Sequence, residues 1–287
     1  LNHTTVSTAL HTARQQLTAA GCDTPKLDAE VLLAHALGQE RTWLYIYPTA
    51  PLLPAAVELY AAYVTRRVQR EPVAYIVGHQ EFFGLDFRVS PRVLIPRPET
   101  ELLIETALTL APPIRPLTVV DVGTGSGCIA ITLARHLPDA HFTAIDISPA
   151  ALDVARQNAI RHDVSQRIDF LPGHLLAPVT TPVDVIVSNP PYVSRPYLHA
   201  ESTMPEVRHY EPRLALDGGP AGLDLIETLL AQAASRLNPG GCLLVEIGFD
   251  QGQAVTQLAR SQFSPAEIEL KTDLAGLDRL LVVRHAP

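Results

Sequence analysis

Between Thr5 and Glu71 apolar side chains recur at helical spacing: Val6, Leu10, Ala13 and Leu17, then Leu27, Val31 and Ala34, then Val57, Tyr63, Val64 and Val68. That period buries one face of each of several helices. Gly21 and Gly38 stand just after the first two apolar runs, where helices end, and Pro25, Pro48, Pro51 and Pro54 punctuate the connections. The pattern predicts a small all-α N-terminal domain over residues 1–80.

From Phe82 to Val89 large apolar residues alternate with polar ones, which predicts a short strand pair, and residues 81–98 read as a β-hairpin linker. Pro91, Pro96 and Pro98 stiffen the chain ahead of an apolar helix over 99–110. Beyond it, β-rich runs at 117–122, 141–147, 167–171, 183–188, 241–248, 267–272 and 278–284 are interleaved with helical stretches at 127–136, 149–162, 223–237 and 251–260. Strands alternating with helices predict an α/β domain over 99–287, a mostly parallel sheet with helices on both faces. Such sheets bind ligands at the carboxyl ends of their strands, where strand order reverses.

Composition narrows the classes. At 47% apolar and 18% charged residues the chain can fill a core and is not of disordered type. Apolar runs stay short of the roughly 18 residues of a membrane span, and Leu1-Asn2-His3-Thr4-Thr5 has none of the regions of a signal peptide, so a cytoplasmic protein is expected. Cys22, Cys128 and Cys242 are far apart and read as packing residues, and the histidines form no ligand pair, so metal catalysis gains no support. With a net charge of −8 and only Lys26 and Lys271 as lysines, direct nucleic-acid binding is not expected. The cluster Arg66, Arg67 and Arg70 reads as cations in the last turn of a helix, facing water.

Two strand ends carry candidate cofactor chemistry. The first is Asp121-Val122-Gly123-Thr124-Gly125-Ser126-Gly127, followed at once by a helical run. Its glycines permit close backbone approach to a ligand, and the helix start offers unpaired N–H groups. The second ends in Asp146, about twenty residues further on, where a βαβ unit sets an acidic side chain against ribose hydroxyls. A bare glycine turn, and an Asp that only caps the helix after Ser148, are the bland alternatives. Cys128 stands where a dinucleotide fingerprint needs Gly or Ala; G-x-G-x-G after an Asp-ended strand instead resembles motif I of class I methyltransferases, which implies S-adenosylmethionine with Asp121 near its amine end.

The apolar run 183–188 ends in Asn189-Pro190-Pro191-Tyr192 at the same sheet edge. Prolines stop the ladder and stiffen a loop whose carbonyls stay free. A conjugated NH₂ is a poor nucleophile because its lone pair is delocalised. Accepting its two hydrogens on the Asn189 side-chain oxygen and the Pro190 carbonyl favours a tetrahedral nitrogen, and Tyr192 is placed to stack on the planar group.

With these motifs, Val93-Leu94-Ile95-Pro96-Arg97-Pro98-Glu99-Thr100-Glu101, Glu211-Pro212-Arg213-Leu214-Ala215-Leu216 and Val245-Glu246-Ile247-Gly248 resemble the PrmC (HemK) family over nearly the whole chain. The resemblance implies methyl transfer to the side-chain amide of the glutamine in the Gly-Gly-Gln motif of peptide chain release factors, giving N5-methylglutamine and S-adenosylhomocysteine. It assigns Gly123, Thr124, Gly125, Ser126, Gly127, Asp146 and Asn189 to the cofactor and Asn189, Pro190, Pro191 and Tyr192 to the glutamine amide, with Asn189, Pro190 and Tyr192 as catalytic residues. Arg97 and Glu99 are expected near the methionine end of the cofactor on the substrate side, or as no more than a capped helix start. The N-terminal helices are expected to recognise the release factor, and the enzyme to act as a monomer.

Relatives carry an acidic residue near the adenine after the third strand, where this chain has Pro172-Gly173-His174-Leu175. His174 or backbone groups are expected to replace it, with weaker cofactor binding that Gly173→Asp would tighten. Asn-Pro-Pro-Tyr also occurs in DNA adenine methyltransferases, which leaves an adenine-N6 methyltransferase acting on DNA or RNA as the alternative.

Overall fold

The computed structural model describes residues 4–110 and 116–286. They fall into two compact units: residues 4–79 with 205–210, and residues 80–110, 116–204 and 211–286.

Unit 1 is helical: α1 (Val6–Ala19), α2 (Pro25–Leu37), α3 (Arg41–Ile46), α4 (Pro54–Val68) and α5 (Val73–Val77). The predicted punctuation acts locally. The Thr5 hydroxyl accepts from the Thr8 N–H to start α1, Pro25 and Pro54 open α2 and α4, and Gly38 ends α2 in the left-handed conformation. Leu17, Leu32, Leu33 and Val64 meet in one apolar core. The six-residue helix α10 (Pro205–Tyr210) also belongs to this unit, although in sequence it interrupts the other.

Arg67 corrects the reading of the arginine cluster as solvated. It is 5% exposed, and its guanidinium donates to Asp28 and to Glu206 of α10, each at 2.7 Å. Arg70 donates to both oxygens of Glu206 at 2.8 and 2.7 Å. Helical spacing put these cations on a face, and a carboxylate far along the sequence decided that the face is covered.

The hairpin β1 (His79–Phe82) and β2 (Leu85–Arg88), which from Gln80 onward belongs to unit 2, is more than a linker. Phe82 and Phe87 are fully buried among residues of α6 (Glu101–Leu110) and α7 (Cys128–His136). The chain continues through β3 (Thr118–Val122), β4 (His141–Asp146), α8 (Pro149–Arg161), β5 (Ile168–Pro172), β6 (Val183–Ser188), α9 (Arg195–His199), α11 (Asp224–Ala233), β7 (Leu237–Glu246), α12 (Gly252–Gln262), β8 (Ala266–Thr272) and β9 (Asp278–His285). The sheet order is β5-β4-β3-β6-β7-β9-β8, with β9 antiparallel to its neighbours and every other described pair parallel. Alternation along each strand fills two cores. Val119, Phe142 and Val185 pack under α6 and α7, while Val120, Ile145 and Ile186 pack under α11 and α12.

Strand order reverses at β3, whose two neighbours are β4 and β6, so three carboxyl ends converge there. Two elements differ from the expected bounds. β7 starts at Leu237 and includes Asn238-Pro239-Gly240-Gly241, a turn signal by composition, which the pairing with β6 skips by a register shift, Val183 facing Leu237 and Val185 facing Cys242. α11 correspondingly stops at Ala233.

Candidate active site

A cavity of about 570 Å³ opens at this reversal point. Its floor is the glycine loop between β3 and α7. The Gly123 and Thr124 N–H groups both donate to the Ile145 carbonyl, at 2.8 and 2.9 Å, which folds the loop over the end of β4. Gly123 and Gly125 have positive φ, and a Cβ at either would meet nothing closer than 3.9 Å, so the loop presents bare backbone. Gly127 does something else. Although it caps α7 with positive φ, a Cβ there would stand 2.7 Å from Ile131 Cδ1 and 3.2 Å from Ala155 Cβ, so its bareness lets α7 and α8 approach each other.

Asp121 is wholly buried beneath this loop and does not reach the cavity wall. One carboxyl oxygen accepts from the Thr124 hydroxyl at 2.6 Å and the Ala130 N–H at 3.2 Å; the other, Oδ1, has no partner among the described residues. Burial pushes the Asp121 carboxyl up to about 7 against the pull of those two donors. Its place is that of an anchor for the loop, one layer behind the cavity wall.

Asp146 does line the cavity, with its two oxygens accepting from the Gly125 N–H at 2.9 Å and the Ser148 N–H at 2.8 Å. Burial raises its carboxyl, opposed by those N–H groups. The helix cap falls to Ser148, whose hydroxyl accepts from Ala151 N–H at 3.2 Å, so capping does not account for Asp146. Ile147, half-exposed beside it, adds an apolar side chain to the cavity wall, which His174 and Leu175 also line.

Gly173 lines the wall as well, and the structure explains it. A Cβ would overlap the Pro178 ring, coming within 2.8 Å of its Cδ, so only glycine fits. Gly173→Asp therefore displaces the Pro178 loop instead of adding a carboxylate to an intact site, and cannot report on a missing adenine contact.

Across the cavity the loop Asn189-Pro190-Pro191-Tyr192 leaves β6. Ser188 Oγ donates to the Val122 carbonyl at 2.8 Å and fixes the two strand ends together. Asn189 Nδ2 donates to Thr100 Oγ1 at 3.1 Å, and Thr100 Oγ1 donates to Glu246 Oε2 at 2.7 Å. The other Glu246 oxygen accepts from the Tyr192 hydroxyl at 3.1 Å. Asn189 Oδ1 and the Pro190 carbonyl accept no hydrogen bond among the described residues. Glu246 is 1% exposed; burial raises its carboxyl, Thr100, Tyr192 and the charge of Arg279 pull it down, and Glu99 adds to the rise. Tyr192 stands behind the wall rather than in it: its ring packs on the core beneath α11, and burial, with Glu246 beside it, raises its hydroxyl. Core packing and the bond to Glu246 thus hold the ring in one place.

The loop is braced from outside. Gln251 donates to the carbonyls of Tyr192 and Gly222 at 3.0 and 3.1 Å and accepts from the Gly248 N–H at 2.9 Å. Val193 exchanges backbone bonds with Leu216 and Gly218. Arg97 lines the cavity with one guanidinium nitrogen 2.6 Å from both oxygens of buried Glu211, while Glu99 lies exposed in the first turn ahead of α6, outside the wall.

Gly123, Thr124, Gly125, Ser126, Asp146, His174, Asn189, Pro191 and Arg97 are thus brought to one cavity, and Asp121, Gly127, Pro190, Tyr192 and Glu99 are not in its wall. Thr100, Glu246 and Gln251 carried no role in the sequence reading. Glu246 had a signal, an acidic residue closing an apolar strand like Asp121 and Asp146. Thr100 and Gln251 had none.

A seven-stranded sheet of this order, a glycine loop on β3 and an acidic end to β4 define a Rossmann-like methyltransferase. Residues 8–78 match the model of the PrmC N-terminal domain, and residues 98–209 that of the methyltransferase small domain. A release factor glutamine methyltransferase of Moorella thermoacetica is 45% identical over 276 residues, 96% of each chain. One from Koribacter versatilis is 42% identical over 98% of each. The solved structure of a methyltransferase from Pyrococcus furiosus superposes with a TM-score of 0.53 at 18% identity, over 72% of this chain and 91% of that one, and shares the fold. The chain belongs to the release factor glutamine methyltransferase family.

Proposed function

We propose that this enzyme transfers a methyl group from S-adenosylmethionine to the side-chain amide nitrogen of the glutamine in the Gly-Gly-Gln motif of peptide chain release factors. The observation that carries the reading is the uncommitted Asn189 Oδ1, on a residue of the cavity wall, with the equally uncommitted Pro190 carbonyl next to it in the chain, on a braced loop at the same sheet edge as the glycine loop. The relatives named for this activity match nearly the full chain.

The cavity residues fit the cofactor. Bare backbone at Gly123 and Gly125 admits close approach, Asp146 keeps lone pairs for a diol, and Ile147 and Leu175 offer apolar contact for a flat base, with His174 at its edge. Arg97, held by Glu211, is one of four arginines in the wall, with Arg92, Arg195 and Arg213, and is suited to the carboxylate of the methionine end. When bound, S-adenosylmethionine supplies an electrophilic sulfonium methyl and leaves as S-adenosylhomocysteine. Asn189 Oδ1 and Pro190 O accept the two amide hydrogens and so draw the nitrogen out of conjugation, with its lone pair freed for in-line attack. The methylated nitrogen is acidic and loses its surplus proton to water, so no dedicated base is required.

Unit 1 is assigned to hold the release factor, in the cytoplasm, with the chain acting as a monomer; among the described residues no helix is long and apolar enough to cross a membrane. The test is methyl transfer from labelled cofactor to purified release factor, with mass mapping of the product. Label is expected on the Gly-Gly-Gln glutamine, and Asn189→Ala is expected to lower kcat about 100-fold or more with cofactor affinity kept within a few-fold. Label on adenine in added DNA or RNA, and none on release factor, would overturn the reading.

A further inference from the structure

An asparagine amide is nearly symmetrical in shape, and its two ends are opposite in chemistry. With Oδ1 toward the acceptor, Asn189 receives a hydrogen. With Nδ2 toward it, donor meets donor and the acceptor nitrogen is repelled. Asn189 cannot choose for itself, and the choice is made behind it.

We propose that Glu246, acting through Thr100, fixes the Asn189 amide with its oxygen toward the acceptor and so makes the site selective for an acceptor that brings hydrogens. The inference rests on the reading of Asn189 and Pro190 as the atoms that hold the acceptor nitrogen.

The directions follow from Glu246 as the acceptor. Two hydroxyls, of Thr100 and Tyr192, donate to its two oxygens and favour the ionised form against the effect of burial, and an ionised carboxylate only accepts, so Thr100 Oγ1, 2.7 Å from Glu246 Oε2, spends its single hydrogen there. Toward Asn189 the same hydroxyl then has only lone pairs, so the end of the amide it meets at 3.1 Å must be Nδ2. Oδ1 is left turned away from Thr100, with no partner among the described residues. The second oxygen of Glu246 takes the Tyr192 hydroxyl at 3.1 Å, so one buried carboxylate fixes both ends of the Asn-Pro-Pro-Tyr loop. The three residues come from three elements: Glu246 ends β7, Thr100 precedes α6 and Asn189 follows β6. All lie within unit 2.

Thr100 and Glu246 are positioning residues, and their variants carry a signature that loose packing does not. Thr100→Val keeps the shape and removes the hydroxyl. It is expected to lower kcat about 30-fold, with KM for release factor and the dissociation constant for S-adenosylhomocysteine each within about threefold of the parent. Thr100→Ser restores the hydroxyl and is expected to recover most of the rate. Glu246→Gln keeps volume and puts an NH₂ on one of the two contacts, so either Thr100 or Tyr192 reverses its bond; about tenfold is expected to be lost from kcat alone. Asn189→Ala in the same series separates the two ideas. If it is inactive while Thr100→Val and Glu246→Gln turn over like the parent, the positioning role is overturned and the acceptor reading stands. If Asn189→Ala itself keeps full kcat, the acceptor reading falls and this inference with it. A fall in cofactor affinity or melting temperature that tracks the loss of kcat across the Thr100 and Glu246 variants also overturns it, since that marks a structural role only.

Discussion

Asp121 shows how much one residue's meaning depends on depth. Its position at the end of β3 suggested a ligand contact, yet it is wholly buried, with one oxygen on Thr124 and Ala130 and the other without a partner among the described residues. Its carboxyl is raised from an ordinary 3.8 to about 7, burial being the main cause. The folded protein therefore holds this proton more tightly than the unfolded chain. The stability the group contributes is complete below about pH 3.8 and is lost as pH rises to about 7. Asp121→Asn removes the titration. Its stability relative to the parent is expected to rise with pH across that window, by at most about 1.4 kcal/mol per pH unit, in denaturant unfolding followed at several pH values. Parallel profiles for the two proteins would refute the assignment.

At the scale of elements, periodicity exposed most strands and helices of the sheet, because alternating and helical burial leave different spacings of apolar residues. It did not expose α9 or α10, each of which is only five or six residues long and starts at or beside a proline in a polar stretch. Nor did it show that the acceptor loop is clamped by residues that follow other strands. Gln251 satisfies two carbonyls and one N–H there, and Gly222 is bare because a Cβ would overlap the Tyr192 carbonyl. Gln251→Ala leaves these groups without their partner. About a tenfold loss of kcat is expected, with cofactor affinity nearly unchanged and faster amide exchange at Tyr192 and Val193. Unchanged exchange at those amides would show that Gln251 does not brace the loop.

On the scale of the whole molecule, unit 1 is assembled from two stretches of chain. Asp28 and Glu206 share Arg67, and Arg70 completes the buried group. Breaking such a set strands charge in the interior. Arg67→Met is expected to destabilise unit 1 by about 3 kcal/mol, read by urea unfolding through Trp43, the single tryptophan of the chain. A shift below about 1 kcal/mol would mean that the cluster is solvated in practice. Removal of residues 1–80 strips Glu206 of both arginines, so a truncated enzyme reports on the folding of 205–210 as well as on release-factor recognition.

The sequence by itself determined the α/β class, the family and the residues at the carboxyl ends of β3, β4 and β6, because local periodicity and short motifs at strand ends are readable without long-range contacts. Only the tertiary structure decided which of those residues face the cavity, why Gly173 is glycine, and that Thr100, Glu246 and Gln251 hold the acceptor loop. Those decisions are made by hydrogen-bond direction and by single-atom overlap between segments as much as 146 positions apart, as for Thr100 and Glu246. No local pattern of apolar and polar residues encodes such a pairing.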